Sequence, residues 1–533
     1  MAPLWPRLRL LNRLWPMVPA VLALAVYRAT MAPDLTWAHN GADGGDLLAA
    51  ALTSGVAHPS GYPTYLISLR LVFTLVGNPS AFWGNLFSAF AASGAVAFVA
   101  LASAHGMPNS RALAGHRNAS LGRLSIAIGT ALLAAFAPTL WSQAVITEVY
   151  TLHAFFTAVL IYLALRVEKH PVMSVGASLI TGLILGVGLG NHLSLALLIP
   201  GLFVSFRLAK ARWSWRALFA LAVGCAVGLL IYLYLPWAAR GDPPVNWGNP
   251  RDLPQLWWLV SGHVYRPLVF ALPLSWLPWR LSAWANLLLQ NLTLPGLTLA
   301  LLGLRRAVME RRELWGMALT LVGAFSLYAL GYDTADSYVY LIPAYLAMAP
   351  AIALGAWTLR EEVQRWMAKR WPRLEKPVMV LLAIAFAALP IGMVWSYWED
   401  QDLSQDYEAI TFAQEALAVA DPCALIIAAT DRPTFALWYL RYGLGVRPDV
   451  AIVNPHLYEF DWYRETIAKW HPDVAFAGGR LLPSTFDTLV DANLHVRPVY
   501  TAEPLADLFA RFSVTAEGPL YRLQLRDSHQ QQL

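Results

Sequence analysis

The sequence predicts a polytopic α-helical membrane protein with a small soluble α/β unit at its C-terminal end. Three observations lead there. The 533 residues are 57% hydrophobic and 13% charged, with a mean hydropathy of +0.48, which is too apolar for a water-soluble chain of this length. Apolar runs close to the ~20 residues needed to cross a bilayer fill the first 400 positions. Basic residues gather in every second connection between those runs, as the positive-inside rule requires.

The first run extends from Leu14 to Ala32 behind Arg7, Arg9 and Arg13. No convincing small-x-small cleavage site follows, so it reads as an uncleaved anchor rather than a signal peptide. Further spans are expected at 80–104, 124–141, 150–166, 172–189, 192–208, 215–235, 283–304, 314–330, 337–357 and 377–397, about eleven in all. The segment 62–77 is apolar but contains Arg70 and is bounded by Pro63 and Pro79, so it is expected to lie along the outer surface. With this topology the cytoplasmic loops 1–13, 105–123, 166–171, 206–216, 305–313 and 358–376 hold 22 Lys and Arg. The outer loops before residue 398 hold only Arg70, Arg240, Arg251, Arg266 and Arg280. This asymmetry accounts for the pI near 9.1 without a nucleic-acid partner. Treating 62–77 as a span would invert everything after it and destroy the bias.

From Glu399 the chain turns polar. Ala424–Ala429 and Val450–Asn454 are short β-rich runs, and Pro433–Tyr442 and Trp462–Trp470 have helical spacing. Residues 1–398 therefore read as a membrane module and 399–533 as an extracytoplasmic α/β domain. Cys225 sits in an apolar run and Cys423 in the polar part; no pairing between them is expected.

The topology gathers the conspicuous polar residues on the outer face of an inner, cytoplasmic membrane. Asp43, Asp46 and His58 lie in the first outer loop, within a Gly- and Pro-rich stretch that suits a shaped loop better than a spanning helix. Tyr62 closes that stretch. Glu148 and Tyr150 lie at the outer end of a span, Asn191 and His192 in a turn between spans, Arg240 behind Tyr234-Leu-Pro236, and Asp333 and Asp336 between two later spans. Acidic residues near membrane depth are costly and are retained for function. Each has a plainer reading as well. Asp43 and Asp46 could cap the helix that follows, His58 could be a loop histidine satisfied by backbone, Glu148 could cap its span, and Asn191-His192 could bridge a tight turn. Asp333 and Asp336 could be ordinary loop acids, and Arg28 could snorkel to the interface or contact a phosphate.

At these residues the sequence resembles the GT-C superfamily of membrane glycosyltransferases. Within it the chain is similar to the protein O-mannosyltransferase-like family, long known only as a domain of unknown function, which includes the animal O-mannosyltransferase of plexin-type receptors. The matching features are Tyr27, Thr30 and Pro33, then Asp43-Gly-Gly-Asp46, Gly55-Val-Ala-His58-Pro59 and Gly61-Tyr62-Pro63. Glu148-Val-Tyr150, Asn191-His192, Tyr234-Leu-Pro236 and Pro244-Val-Asn-Trp-Gly248 follow, with Ala429-Thr-Asp431, Leu437-Trp-Tyr439 and Arg447-Pro-Asp449-Val near the C-terminus. The chain departs from the family pattern at Asp46, where a Glu is usual, at Ser60, where a Pro is usual, and in the displaced Arg240.

The resemblance implies a GT-C-type helical bundle that moves a sugar, mannose among the candidates, from a polyprenyl-phosphate donor to an acceptor hydroxyl on a protein, glycan or lipid, with inversion at the anomeric carbon. The residues agree with that chemistry. An acceptor hydroxyl attacking an anomeric carbon needs a carboxylate base, for which Asp43 is the candidate and Asp46 its helper. A lipid-phosphate leaving group needs cationic or hydrogen-bonding neighbours, for which His58, His192 and Arg240 are candidates. Tyr62, Glu148, Tyr150, Asn191, Asp333 and Asp336 complete the expected substrate-binding set. Asp, Glu and His side chains here could also hold a divalent cation, although no ligand spacing is diagnostic. Two other readings compete: a transporter or flippase of lipid-linked sugar, which should show repeat symmetry and broken helices near mid-membrane, and a non-catalytic sugar- or lipid-binding homologue.

Overall fold

The computed structural model describes residues 14–108, 117–166, 173–210, 214–476 and 485–526. The basic N-terminal segment 1–13 and parts of three expected cytoplasmic loops, 109–116, 167–172 and 211–213, lie outside the described residues. The protein is a multi-pass membrane helical bundle followed by a C-terminal α/β unit. Among the described residues, five helices are long and apolar enough to cross a bilayer: Ala81–Gly106, Trp215–Arg240, Arg312–Gly331, Ser337–Arg370 and Pro372–Gln401. Two bent helix pairs raise this to seven if each pair is one span. The expected spans at 14–32, 150–166, 172–189 and 192–208 are the shorter apolar helices Met17–Thr30, Tyr150–Arg166, Val175–Leu189 and Leu193–Leu208. The segment 62–77 is also a short apolar helix, Pro63–Val76.

Two expected spans are not straight. The stretch 124–141 bends by 68° between Leu121–Ala135 and Pro138–Ala144, and 283–304 turns through 90° between Leu274–Leu292 and Leu294–Glu310. In both cases the second helix opens with a proline in its first turn, Pro138 or Pro295. A proline ring has no amide to donate and clashes with the preceding turn, so it starts a helix well and continues one badly.

The helices differ in what covers them. The apolar window of Ser337–Arg370 is wholly buried, and that helix runs through the middle of the bundle. Pro372–Gln401 is mostly exposed, with Trp395 and Ile391 pointing outward, as a helix against lipid must be. Close helix packing in lipid relies on small residues rather than on the hydrophobic effect. Val175–Leu189 and Trp215–Leu229 meet in that way: a Cβ on Gly182 would stand 2.0 Å from the Leu221 carbonyl oxygen, and one on Gly224 2.1 Å from that of Leu179.

The C-terminal unit is built on a five-stranded sheet in the spatial order β2 (Ala451–Val453), β1 (Leu425–Ile427), β3 (Val499–Thr501), β5 (Leu520–Gln524) and β4 (Ser513–Glu517). β1 runs parallel to both β2 and β3. β5 is antiparallel to β3 and to β4. β1, β2 and β3 are fully buried, which matches their continuous apolar runs. The helices expected at 433–442 and 462–470 are Asp431–Trp438 and Asp461–Trp470.

The unit docks directly on the stretch that follows the first apolar helix. A Cβ on Gly45 would lie 2.4 Å from the Phe435 carbonyl oxygen, the Tyr439 hydroxyl accepts from Ala81 N at 2.9 Å, and Thr36 donates to Asp406.

Gly224→Val tests the helix packing. The added side chain has no room against Leu179, so the pair must separate, at a cost of ~1–3 kcal/mol typical of overpacking. The expected outcome is a lower thermal midpoint in detergent; an unchanged midpoint would contradict the backbone contact.

Candidate active site

The Asp43–Thr53 helix opens on the sequence Asp-Gly-Gly-Asp, so both carboxylates sit in its first turn, three residues apart on one face, where the helix dipole favours negative charge. The chain then turns back over that end of the helix. Val56 N donates to Val245 O at 2.9 Å and Trp247 N to Val56 O at 3.2 Å, which ties the returning loop to the Pro244–Gly248 stretch. The result brings His58 and Trp247 onto Asp46. One Asp46 oxygen accepts from His58 N at 2.9 Å and meets His58 Nδ1 at 2.7 Å; the other accepts from Trp247 Nε1 at 2.9 Å. Asp46 is 0% exposed. The other face of the imidazole looks to Asp43, whose Oδ2 is 3.5 Å from Nε2 and whose side chain is 38% exposed.

That opening leads into a cavity of about 670 Å³. Asp43, His58, Tyr62, Tyr150, His192 and Asp336 line it. The Tyr62 ring stacks on His192 with centroids 5.9 Å apart, His58 sits edge-on to Tyr62 at 4.9 Å, and the Tyr150 hydroxyl donates to Asp336 at 3.3 Å. Asp46, Glu148 and Asn191 are buried behind the wall. Asn191 Nδ2 holds Val149 O at 3.1 Å and Glu148 accepts from Val149 N at 3.2 Å, so both shape the wall and do not face the space.

Two expected site residues are elsewhere. Arg240 ends the Tyr234–Arg240 helix with an exposed side chain and does not line the cavity. Its place in the sequence, just behind the Tyr-Leu-Pro turn, is not its place relative to the cavity, because the helix carries it outward. Asp333 is exposed; its backbone N binds Leu268 O at 3.0 Å, and the side chain is not in the wall. Arg28 lies over the Phe82 ring at 5.1 Å and is also absent from the wall. The cations that do line the cavity are Arg266, from the His263–Leu268 turn, and Arg432, from the C-terminal unit, along with the acid Asp431. Arg266 was visible in the sequence only as one of five outer arginines, and Asp431 only as part of Ala429-Thr-Asp431.

The electrostatics separate the two carboxylates of the loop. Burial pushes Asp43 up to about 7; His58 opposes the rise, while Asp431, Asp336 and Asp46 add to it. Burial works against charge on His58, but Asp43 and the Asp46 hydrogen bond outweigh it, so the imidazole is raised above its ordinary value. Asp46 is occupied on both oxygens by donors. Asp43 is therefore the loop carboxylate free to take a proton from a molecule in the cavity. Among the described residues no group of three His, Cys, Asp or Glu is placed to hold a metal ion.

The architecture is the GT-C fold. ArnT from Cupriavidus metallidurans bound to undecaprenyl phosphate matches it with a TM-score of 0.59 at 13% identity, over 96% of this chain and 97% of that one, and ArnT from the same organism in the apo state matches with a TM-score of 0.58 at the same identity and coverage. Two family models match parts of the chain: the protein O-mannosyl-transferase TMEM260 N-terminal domain over residues 43–216 and TMEM260-associated domain 2 over residues 409–472. It is similar to protein O-mannosyl-transferase TMEM260 of Mus musculus, 25% identical over 508 residues, and to that of Dictyostelium discoideum, 22% identical over 530. The matches cover 86% and 89% of this chain but only 65% and 62% of those relatives. The two matched stretches contain Asp43 to His192 and Asp431 to Arg432 of the cavity wall, while Arg266 and Asp336 lie between them.

Trp247→Phe tests the Asp46 arrangement. It keeps the ring but leaves a buried carboxylate oxygen without its indole donor, at a cost of ~1–3 kcal/mol. A lower thermal midpoint is expected, and one identical to the parent's would mean that the hydrogen bond contributes nothing.

Proposed function

We propose that the protein is a membrane glycosyltransferase that moves a sugar, mannose by analogy with its relatives' names, from a polyprenyl-phosphate donor to a hydroxyl of a protein acceptor. The observation that carries this reading is the division of labour in Asp43-Gly-Gly-Asp46: one carboxylate committed inside, the other open to a large cavity. Asp43 takes the proton as the acceptor oxygen bonds to the anomeric carbon, and the bond from that carbon to the phosphate oxygen breaks. Arg266 and Arg432, with the hydroxyl of Tyr265, receive the negative charge gathering on the leaving phosphate. His58 stays bound to Asp46 and orients Asp43. The undecaprenyl phosphate in the ArnT structure supports a lipid-linked donor of this kind.

On this reading the cavity and the C-terminal unit face away from the cytoplasm. In a variant lacking Cys225 and Cys423, a membrane-impermeant thiol reagent added to intact cells should label a cysteine at Ser404 and spare one at the exposed Ser214. The reverse pattern would place the site on the other face.

Asp43→Asn preserves shape and removes the proton acceptor, so turnover should fall ~10²-fold or more. In the parent the base must be ionised, and its acidity near 7 predicts a rate that declines as pH drops below about 7. Near-normal turnover by folded Asp43→Asn would remove Asp43 from this role. Arg266→Gln and Arg432→Gln should raise the donor KM, whereas Arg240→Gln should not; the opposite pattern would return the phosphate to Arg240.

A further inference from the structure

We propose that Asp431, carried by the C-terminal α/β unit, binds the acceptor in the active site, and that Glu503 is the residue that positions it. This rests on the transferase reading above. It makes the C-terminal unit a working part of the site, with the acceptor a serine- or threonine-containing segment of polypeptide.

The sheet topology points to this place. The chain leaves β1 toward β2 on one side and later returns to β3 on the other, with all three strands parallel. In open α/β sheets the crevice beyond the carboxyl ends of strands at such a switch point is where ligands bind. Asp431 begins the helix after β1, and Glu503 follows β3. In this protein the crevice opens on the membrane cavity, because Thr430, Asp431 and Arg432 line the same space as Asp43 and His58.

The turn is held in a particular way. One Glu503 oxygen accepts from Ala429 N and, at 2.8 Å, from Thr430 N; the other accepts from the Thr430 hydroxyl at 2.7 Å. From the opposite side Trp37 Nε1 donates to Arg432 O at 3.1 Å. Glu503 thus takes up the donors of the turn, and the Asp431 carboxylate is left exposed toward the cavity.

Charge then limits what Asp431 can meet. A carboxylate repels the donor phosphate, so its partner must be a hydroxyl or an N–H group. A lipid donor comes from the bilayer, whereas Asp431 belongs to the C-terminal unit, outside the apolar helices. Asp431 shares the cavity wall with Asp43, the base that takes the proton of the attacking hydroxyl on the transferase reading. A backbone amide next to a serine or threonine hydroxyl satisfies that geometry.

The test uses full-length protein in detergent, a polyprenyl-phosphate-mannose donor and a threonine-containing peptide. Asp431→Asn should raise the peptide KM ~10-fold or more, the scale of a hydrogen bond to a charged group, with donor KM and thermal midpoint unchanged. Glu503→Ala should move the peptide KM in the same direction, and Glu503→Gln, which keeps one acceptor oxygen, should recover part of the loss. An unchanged peptide KM in folded Asp431→Asn overturns the proposal, as does a rise in donor KM alone, which would put Asp431 on the donor sugar. Failure of the parent protein to transfer mannose is a separate outcome: it defeats the transferase reading itself, and this inference with it.

Discussion

The structure depends on the contact that Asp46 makes with His58 and Trp247. A carboxylate with no exposure is tolerated only when hydrogen bonds replace its water, and Asp46 has three donors: the His58 amide, the His58 ring and the Trp247 indole. Those donors come from two different stretches of chain, so satisfying one buried charge fixes the fold of the Asp43–His58 stretch and its register against the loop near residue 245. Trp247 carries the same constraint further. Its ring meets Phe435, Trp438 and Trp462 at centroid distances of 6.3, 6.3 and 5.8 Å, which anchors the C-terminal unit over the loop.

This explains how a side chain as short as that of Asp46 serves at this position. The backbone of His58 approaches to 2.9 Å, and the shorter side chain suffices to reach it. It also explains the glycines between the two acids. Gly45 faces the Phe435 backbone, so any side chain there would lift the C-terminal unit from the loop and take Asp431 and Arg432 out of the cavity. The Asp-Gly-Gly-Asp sequence thus serves chemistry with its first acid, architecture with its last, and docking with a glycine between them.

Much of this was legible in the sequence, and the rest was hidden for identifiable reasons. Hydropathy and the distribution of arginines located the helices, because lipid imposes length and charge rules that act locally along the chain. The same window averages hid the bends at Pro138 and Pro295, where the prolines themselves were the signal. Asp43, His58, Tyr62, Tyr150, His192 and Asp336 were legible as polar residues at the ends of apolar runs. Arg240 was misplaced by the same logic, since a short helix carries it outward. Arg266 and Arg432 could not be chosen from among the other arginines without knowing which loops fold over the cavity. Asp431 needed the strand order: only when β1 lies between two parallel partners does the residue after it become a position for binding.

The distribution of charge in the cavity fits the proposed reaction more closely than any single residue does. The wall presents Asp43, Asp336 and Asp431 against Arg266, Arg432 and a His58 whose charge is favoured by its two carboxylates. Both signs are in place before substrate enters. When the acceptor proton moves to Asp43, that carboxylate loses its charge, and the phosphate on the far side of the anomeric carbon gains one as the lipid departs. The total does not change; the negative charge moves from the loop to the arginines. A site of this kind has no need to admit water or ions during the transfer, and its fixed cations are in place before the phosphate needs them, which is the condition under which preorganised electrostatics lower a barrier. It requires Arg432 and Asp43 to be held in fixed relation although nearly 400 residues separate them, and the Asp46–Trp247 anchor, through Phe435 and Trp438, is what holds them so.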